Sequence, residues 1–152
     1  DGISEKNLLD DAEIAYQFLQ KQADEKKIIL YGRAIGTGIA VYLAAKYNPN
    51  KLILESPFTN LKDLAKYHYP FLPRFLLRFR FPSDEWIKNV RCRTTIFHGD
   101  EDSIIPIQFG VQLSKMNPKL VNFITIPHGN HNNLGEFRQY LNELEKFLKI
   151  LD

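Results

Sequence analysis

The chain has 152 residues, of which 44% are hydrophobic and 25% are charged, and its formal net charge is +2. A chain of this length and balance fits one globular domain that buries roughly 70% of its unfolded surface, which excludes a disordered or low-complexity protein. The small net charge argues against nucleic acid as a partner. No apolar run approaches the roughly 18 residues that cross a bilayer. The single cysteine, Cys92, excludes an internal disulfide and favours a reducing, cytoplasmic compartment.

Apolar spacing predicts alternating helices and strands from the N-terminus onward. Apolar residues recur at helical spacing after Ser4, a suitable N-cap, and predict a helix over 5–22. The almost continuous apolar run 26–32 predicts a strand buried on both faces, as in a parallel sheet. The later predicted elements are helices over 35–47, 106–116 and 137–151 and strands over 51–55, 94–99 and 121–127. This alternation predicts an α/β fold with a doubly wound, mostly parallel sheet.

The stretch 57–92 interrupts this alternation. It contains four prolines and many aromatic residues but no convincing strand. We interpret it as a helical cap inserted over the ligand end of the sheet, within a single domain spanning 1–152. The sheet itself looks incomplete, because the chain begins with a helix and supplies only four predicted strands. The pattern therefore predicts the C-terminal portion of a larger α/β fold.

The stretch 30–38, LYGRAIGTG, places Ala34 at the apex of a turn between a predicted strand and a predicted helix. This is the arrangement of a nucleophile elbow, whose apex residue adopts a strained backbone conformation and projects the attacking side chain. The tightness of such a turn predicts that Gly32 and Gly36 must both be small. Because alanine has no attacking atom, the turn indicates a serine site that was inherited, or engineered, without its nucleophile.

Two other kinds of glycine-rich turn do not fit the same stretch. A phosphate-binding Walker loop requires a lysine after its glycines, and no lysine follows Gly36 or Gly38. A dinucleotide fingerprint starting at Gly36 requires a third glycine where Val41 stands. A strand-to-helix turn with no chemical role remains an alternative for these residues taken alone.

Two later loops carry residues suited to the rest of a catalytic triad. The loop 98–106, HGDEDSIIP, follows a predicted strand with three carboxylates, and the loop 127–134, PHGNHNNL, follows the next strand with two histidines. A nucleophile, an acid and a histidine in this chain order match serine hydrolases, and both loops fall at the ligand end of a parallel sheet. Together they predict one acid and one base.

Each of these residues also has a plainer interpretation when it is taken singly. The carboxylates Asp100, Glu101 and Asp102 could form a solvated turn, and His128 and His131 could be loop surface or a weak metal pair. His98 and His68 suit structural positions. Because no H-E-x-x-H helix or cysteine partner is present, no metal is predicted, and no other cofactor is expected.

Together these stretches resemble the α/β-hydrolase superfamily, specifically the abhydrolase-domain and serine-aminopeptidase-like hydrolases with a small cap. The likeness is carried by residues 30–47, 52–61, 94–106 and 126–134. The resemblance implies that Ala34 occupies the nucleophile position, that the acid is Asp102 and not Asp100, and that the base is His131 and not His128. It also implies that the family's early strands, and the loop that donates the second oxyanion amide, would precede this numbering, which leaves the amide of Ile35 as the oxyanion donor.

This resemblance implies a serine hydrolase that cleaves a carboxylic ester or thioester through an acyl-enzyme. With Ala34 in place of the serine, the chain is expected to be inactive. The alternative is a natural, non-catalytic pseudo-hydrolase that binds an acyl ligand or a protein partner. The retained Asp102 and His131 favour the first interpretation, because an inactive site has no chemical reason to keep both.

The aromatic stretch 69–81, YPFLPRFLLRFRF, is the one indication of substrate. Its plainer interpretation is an amphipathic helix packed on the sheet with solvated arginines. The alternative is a lipophilic cap for an acyl chain, with peripheral membrane contact through 70–81. In that case the predicted substrate-binding residues are Phe71, Phe75, Leu76 and Phe79. The sequence does not predict an oligomeric state.

Overall fold

The computed structural model of the chain describes residues 2–71 and 73–151, apart from the side chains of residues 74 and 76. The helices are α1 (Glu5–Gln22), α2 (Gly36–Lys46), α3 (Leu61–His68), α4 (Ser83–Trp86), α5 (Ile107–Lys115) and α6 (Arg138–Leu148). The strands are β1 (Ile29–Arg33), β2 (Lys51–Glu55), β3 (Arg93–Gly99) and β4 (Val121–Ile126). Short 3₁₀ turns occupy Glu25–Lys27, Arg74–Arg78, Ile87–Asn89 and Leu134–Glu136. The first helix begins where its sequence predicts, because the Ser4 hydroxyl accepts a hydrogen bond from the amide of Asn7.

The four strands form one parallel sheet in the order β1-β2-β3-β4. Hydrophobic clusters lie on both of its faces. One cluster joins α2 and α5 to β2 and β3 through Val41, Leu54, Ile96 and Leu113. The other joins α6 to the opposite face, where Phe97 packs edge-on against Tyr140. Helices on both faces of a parallel sheet confirm the predicted doubly wound α/β fold.

The strand β1 differs from its prediction. The run 26–32 was expected to be buried on both faces, but residues of β1 are largely exposed, with Ile29 and Tyr31 41% and 52% accessible. The reason is the position of β1 at an edge of this sheet, where β2 is its one neighbour among the described strands. By contrast, all five residues of β2 are buried, as expected for a strand with a neighbour on each side.

The stretch 57–92 contains α3, α4 and two 3₁₀ turns, and its described residues form no strand. The ends of its 61–80 segment are held together, since the amide of Leu61 donates to the carbonyl of Arg80 at 3.0 Å. The Glu5 carboxylate of α1 also accepts from the amides of Arg80 and Phe81, at 2.6 and 3.2 Å. Phe81 is buried, whereas Tyr69 and Phe71 between these ends are more than 80% exposed. The stretch is therefore anchored at its base and exposed at its tip.

The C-terminal helix is tied to the amino end of β2 by a buried lysine. Lys51 is 4% exposed, and its amino group donates to the carbonyl oxygen of Ile150 at 2.7 Å and more weakly to that of Leu148 at 3.5 Å. These acceptors belong to the end of α6, where carbonyl groups lack helical partners. None of the described helices is long and apolar enough to cross a membrane.

Candidate active site

The turn between β1 and α2 holds Ala34 in a left-handed backbone conformation, with φ of 51°. Two hydrogen bonds fix it: the Ala34 amide donates to the carbonyl of Glu55 at 3.0 Å, and the Thr37 amide donates to the Ala34 carbonyl at 3.0 Å. The Thr37 hydroxyl donates to that same carbonyl. A non-glycine residue in this region costs about 1–3 kcal/mol. The turn thus has the strained geometry of a nucleophile elbow with a methyl group at its apex.

The two glycines that flank this apex have different roles. A Cβ atom added at Gly32 would lie 2.7 Å from the carbonyl oxygen of Gly36 and 2.8 Å from the Cβ of Ala40, so this position must be small. A Cβ added at Gly36 would meet nothing within 4 Å of it. The prediction that Gly36 must be small is therefore wrong for this structure, because the close approach is made by its backbone oxygen and not by its Cα. Gly38 is restricted instead, by the ring of Phe81.

Asp102 lies in the loop after β3 and is almost fully buried. Its Oδ1 accepts hydrogen bonds from the amides of Ile104 and Ile105 at 3.0 and 2.9 Å, and its Oδ2 lies 3.0 Å from Nδ1 of His131. Burial raises the pKa of the Asp102 carboxyl, but the hydrogen bonds from His131 and the Ile105 amide outweigh burial and hold the pKa below its ordinary value. Asp102 is therefore a carboxylate at neutral pH.

His131 lies in the loop after β4, and its side chain is 15% exposed. The carboxylate of Asp102 can only accept, so Nδ1 carries the hydrogen and the neutral ring keeps a lone pair on Nε2. An imidazole held in this tautomer by a buried carboxylate can take a proton through Nε2. The sequence-predicted acid and base positions are brought together by the fold.

The other acidic and histidine residues of these loops have different partners. The amide of His128 donates to Asp100 at 2.7 Å, and its exposed ring pairs with Glu101 at 3.1 Å, which raises the pKa of His128. His98 is fully buried, and its Nε2 lies 2.7 Å from the carbonyl of Ile105. Burial lowers the pKa of the His98 ring. Asp100 and His128 thus join the two loops, apart from the Asp102 and His131 pair.

Sequence reasoning missed the residues that bring the His131 loop to the Ala34 turn. Arg33 donates from Nη2 to the carbonyl of His131 and to Oδ1 of Asn132, each at 2.8 Å. A Cβ at Gly99 would overlap the carbonyl oxygen of Gly129, so the loops after β3 and β4 approach each other through glycine backbones. The available signals for Arg33 were its position next to the apex and its match to the arginine of the G-R-S-x-G elbow that the resemblance implies.

Comparison with known proteins finds related chains. No protein-family model matches the chain. Lysophosphatidylserine lipase ABHD12 of Danio rerio is 34% identical over 129 residues, covering 72% of this chain and 34% of that protein. Alpha/beta hydrolase domain-containing protein aho-3 of Caenorhabditis elegans is 33% identical over 149 residues, covering 97% and 44%. Alpha/beta hydrolase domain-containing protein 17C of Mus musculus is 32% identical over 147 residues, covering 95% and 45%.

The chain belongs to the α/β-hydrolase superfamily. This confirms the resemblance drawn from its motifs. The chain spans between a third and about half of the length of these relatives. Solved structures with low identity share the fold: an esterase domain from a Rhodothermus marinus protein has a TM-score of 0.65 at 17% identity, covering 81% of this chain and 58% of that one. A puromycin-hydrolyzing peptidase of Mycobacterium tuberculosis has a TM-score of 0.72 at 16% identity, covering 92% and 24%.

In an α/β-hydrolase the amide after the elbow apex faces the developing oxyanion. Here that amide belongs to Ile35, which directly precedes α2. Within the described part of the chain, the Ile35 N–H donates no hydrogen bond around the turn, where the Thr37 and Gly38 amides donate to the carbonyls of Ala34 and Ile35. An unpaired amide at a helix N-terminus is suited to an anionic oxygen.

Among the predicted substrate-binding residues whose side chains are described, Phe79 packs against the same hydrophobic cluster as Ala34, whereas Phe71 and Phe75 are exposed. Phe71 and Phe75 are 87% and 61% exposed, while Phe79 is partly buried and stacks on Phe81. The side chain of Leu76 lies outside the described residues. Phe79 lines a cavity of about 980 Å³ between α3, the 69–80 segment and α4, and Ala34, Asp102 and His131 do not contribute to its walls. The cavity therefore belongs to the 57–92 stretch and not to the Asp102 and His131 pair.

Proposed function

We propose that the chain carries the catalytic centre of a serine hydrolase that cleaves a carboxylic ester or thioester, with its nucleophile replaced by Ala34. The observation that carries this proposal is the buried Asp102, 3.0 Å from Nδ1 of His131, on loops that Arg33 joins to a strained elbow turn. A structural role alone does not require the acid, the base and an apex with φ of 51° at one edge of the sheet.

The reaction follows from these positions when serine occupies position 34. Nε2 of His131 takes the proton of the serine hydroxyl as its oxygen attacks the acyl carbon, and Asp102 stabilises the imidazolium that forms. The Ile35 amide donates to the oxyanion. His131 then protonates the leaving alcohol or thiol, and water attacks the acyl-enzyme by the same path in reverse order. With Ala34, no oxygen is present to begin the first step.

An acyl substrate is favoured by the apolar surface near the centre. Ile35, next to the apex, and Ile104, in the acid loop, are 41% and 53% exposed. The ABHD12 relative is named as a lysophosphatidylserine lipase, which supports an acyl ester over an amide. This proposal includes a cap function for 57–92 and binding of the acyl chain by Phe71, Phe75, Leu76 and Phe79. It also includes peripheral membrane contact through 70–81 and a cytoplasmic location.

A non-catalytic binder is the second candidate, and Ala34 itself favours it. In that form the chain would keep the apolar surface for an acyl ligand and use Asp102 and His131 only to hold its loops together. Such a protein binds a fluorescent fatty acyl probe but does not regain chemistry when a hydroxyl is supplied.

Restoring the hydroxyl with Ala34→Ser separates the two candidates. We expect Ala34→Ser, in this chain extended by any residues encoded before it, to react covalently with a fluorophosphonate and to hydrolyse p-nitrophenyl acyl esters. Adding His131→Asn should lower the rate by about 10²- to 10⁴-fold, because the base is lost. Adding His128→Asn is the matched control on the same loop and should leave the rate unchanged. Absence of labelling and of ester hydrolysis in the extended Ala34→Ser chain would exclude the hydrolase.

A further inference from the structure

We infer that Arg33 is a positioning residue that holds the base loop against the elbow turn; this rests on the proposed function, in which His131 must reach position 34. The two elements it joins lie far apart in the sheet. Ala34 follows β1 and His131 follows β4, and these strands are opposite edges of the sheet. With adjacent strands about 4.8 Å apart, three steps separate them by about 14 Å.

The loop after β4 could cross this distance only if it were almost fully extended. His131 is the fifth residue beyond Ile126, and five extended residues reach at most about 16–18 Å. The loop is not extended, since the amide of Gly129 donates back to the carbonyl of Ile126 at 3.0 Å and closes a turn. The loop therefore stops short of the end of β1, and the long side chain of Arg33 spans the remaining gap.

Other contacts of this loop run to the loop after β3. The Glu101 amide donates to the carbonyl of Gly129 at 2.9 Å, the His128 amide donates to Asp100 at 2.7 Å, and His131 pairs with Asp102. Among the described side chains of β1 and its turn, Arg33 alone hydrogen-bonds to residues 127–133. The bonds to Asp100 and Asp102 place the histidine beside its acid, and the bonds from Arg33 place it toward the apex.

The guanidinium is itself oriented by a buried carboxylate. Nε of Arg33 lies 3.4 Å from Oε2 of Glu55, whose side chain is 8% exposed and which also accepts from the hydroxyl of Tyr31 at 2.6 Å. This leaves Nη2 to donate to the His131 carbonyl and to Asn132. The planar fork of arginine can serve both sides at once, whereas a lysine at this position supplies one point donor. Arg33 is 42% exposed, so its ion pair contributes little to global stability and its effect is local.

The test compares Arg33→Met with Arg91→Met. The second variant removes the same charge from an exposed arginine that precedes β3, at the end of the strand opposite the acid loop. Two readouts need no activity: hydrogen exchange of amides 127–133, and the low-field NMR resonance of the His131 Nδ1 proton. We expect Arg33→Met to lower amide protection in this loop by about tenfold and to broaden the His131 resonance, with the urea midpoint unchanged. Arg33→Lys and Asn132→Ala should each give a smaller change in the same direction. Arg91→Met should match the parent chain.

The activity arm uses the Ala34→Ser background. There, Arg33→Met should lower the rate of acylation by about 10- to 100-fold with little change in KM, because it displaces the base and not the substrate. If loop protection and the His131 resonance in Arg33→Met equal those in Arg91→Met, the positioning role is overturned. If those signals change while Ala34→Ser shows no labelling, the proposed function fails and the structural tether stands.

Discussion

At the scale of single residues, the turn at Ala34 keeps a conformation that its present side chain does not need. The methyl group at φ of 51° gains no chemistry there, and a glycine would adopt this region without strain. The turn persists because the Ala34 amide and carbonyl are both hydrogen-bonded, to Glu55 and to Thr37. The geometry of the elbow is thus enforced by its neighbours and is ready to receive a serine.

The two glycines of this turn give a matched pair of substitutions. Gly32→Ala should lower the free energy of unfolding by about 1–3 kcal/mol, since its Cβ would overlap backbone atoms of α2. A Cβ added at Gly36 has open space around it. Gly36→Ala should therefore change the free energy of unfolding by less than about 0.5 kcal/mol, or raise it. Urea unfolding of both variants measures the difference. If both variants lost the same free energy of unfolding, the turn would have no room for a Cβ on either side of its apex.

The carboxyl group of Asp102 should make stability depend on pH. Its pKa in the folded chain lies below the ordinary value, so the folded state favours the ionised form. The stability that it contributes is present above the unfolded pKa of about 4 and is lost as the pH falls through the folded pKa. At pH 7, Asp102→Asn should cost about 1–3 kcal/mol, because buried donors lose their charged acceptor, and the cost should shrink with acidification.

Urea midpoints measured from neutral to acidic pH test this dependence. Asp11→Asn removes an exposed carboxylate from α1 and serves as the control, with a profile expected to follow that of the parent chain. A cost of Asp102→Asn that stays constant or grows on acidification would show that the pair is not held by an ionised carboxylate.

At the scale of elements, the 69–77 segment exposes apolar side chains that the rest of the chain does not cover. Phe71 and Phe75 are joined there by exposed Tyr69 and Leu77, and exposed Arg78 and Arg80 follow directly. Aromatic side chains beside arginines suit the interface of an anionic membrane, where rings enter the headgroup region and cations face phosphate. The anchored base of the stretch keeps this tip turned outward.

Vesicle co-sedimentation tests whether this tip binds lipid. Phe71→Ser with Phe75→Ser should weaken binding to phosphatidylserine-containing vesicles by about tenfold or more, because each buried ring contributes about 1.5–3 kcal/mol. Ile14→Ser with Phe18→Ser removes two side chains of α1 that are 65% and 61% exposed and should leave binding unchanged. Equal loss in both variants would mean that the parent chain binds through general surface hydrophobicity.

The elements differ in how far sequence predicts them. Helix α1 and strand β2 match their predicted bounds because a cap and a short apolar run are local signals. Burial of β1 was wrong because an apolar run does not reveal whether a strand is central or at an edge. The loops that follow strands indicated an acid and a base, and the family resemblance selected Asp102 and His131 for these positions. Arg33 and the contact of Gly99 with Gly129 could not be found, since these depend on how two distant loops cross the sheet.

At the scale of the whole molecule, the candidate site is assembled from three loops that follow the carboxyl ends of the strands in one parallel sheet. The loops after β1, β3 and β4 supply the apex, the acid and the base, and the chain between them forms the helices that cover both faces. The order of motifs along the sequence predicted this convergence, because parallel strands bring their carboxyl ends to one side. Side-chain contacts between the loops then set the distances between the apex, the acid and the base.

At the amino ends of the strands, opposite the candidate site, Lys51 imposes a different constraint on the chain. Its amino group is enclosed in the protein and depends on the carbonyl oxygens of Leu148 and Ile150. A shortened chain that stops before these residues would leave a buried donor without its acceptors, at a cost of about 1–3 kcal/mol or more. Fusion partners and purification tags are therefore better joined beyond Ile150 than in place of the last turn, although that turn lies far from the catalytic loops.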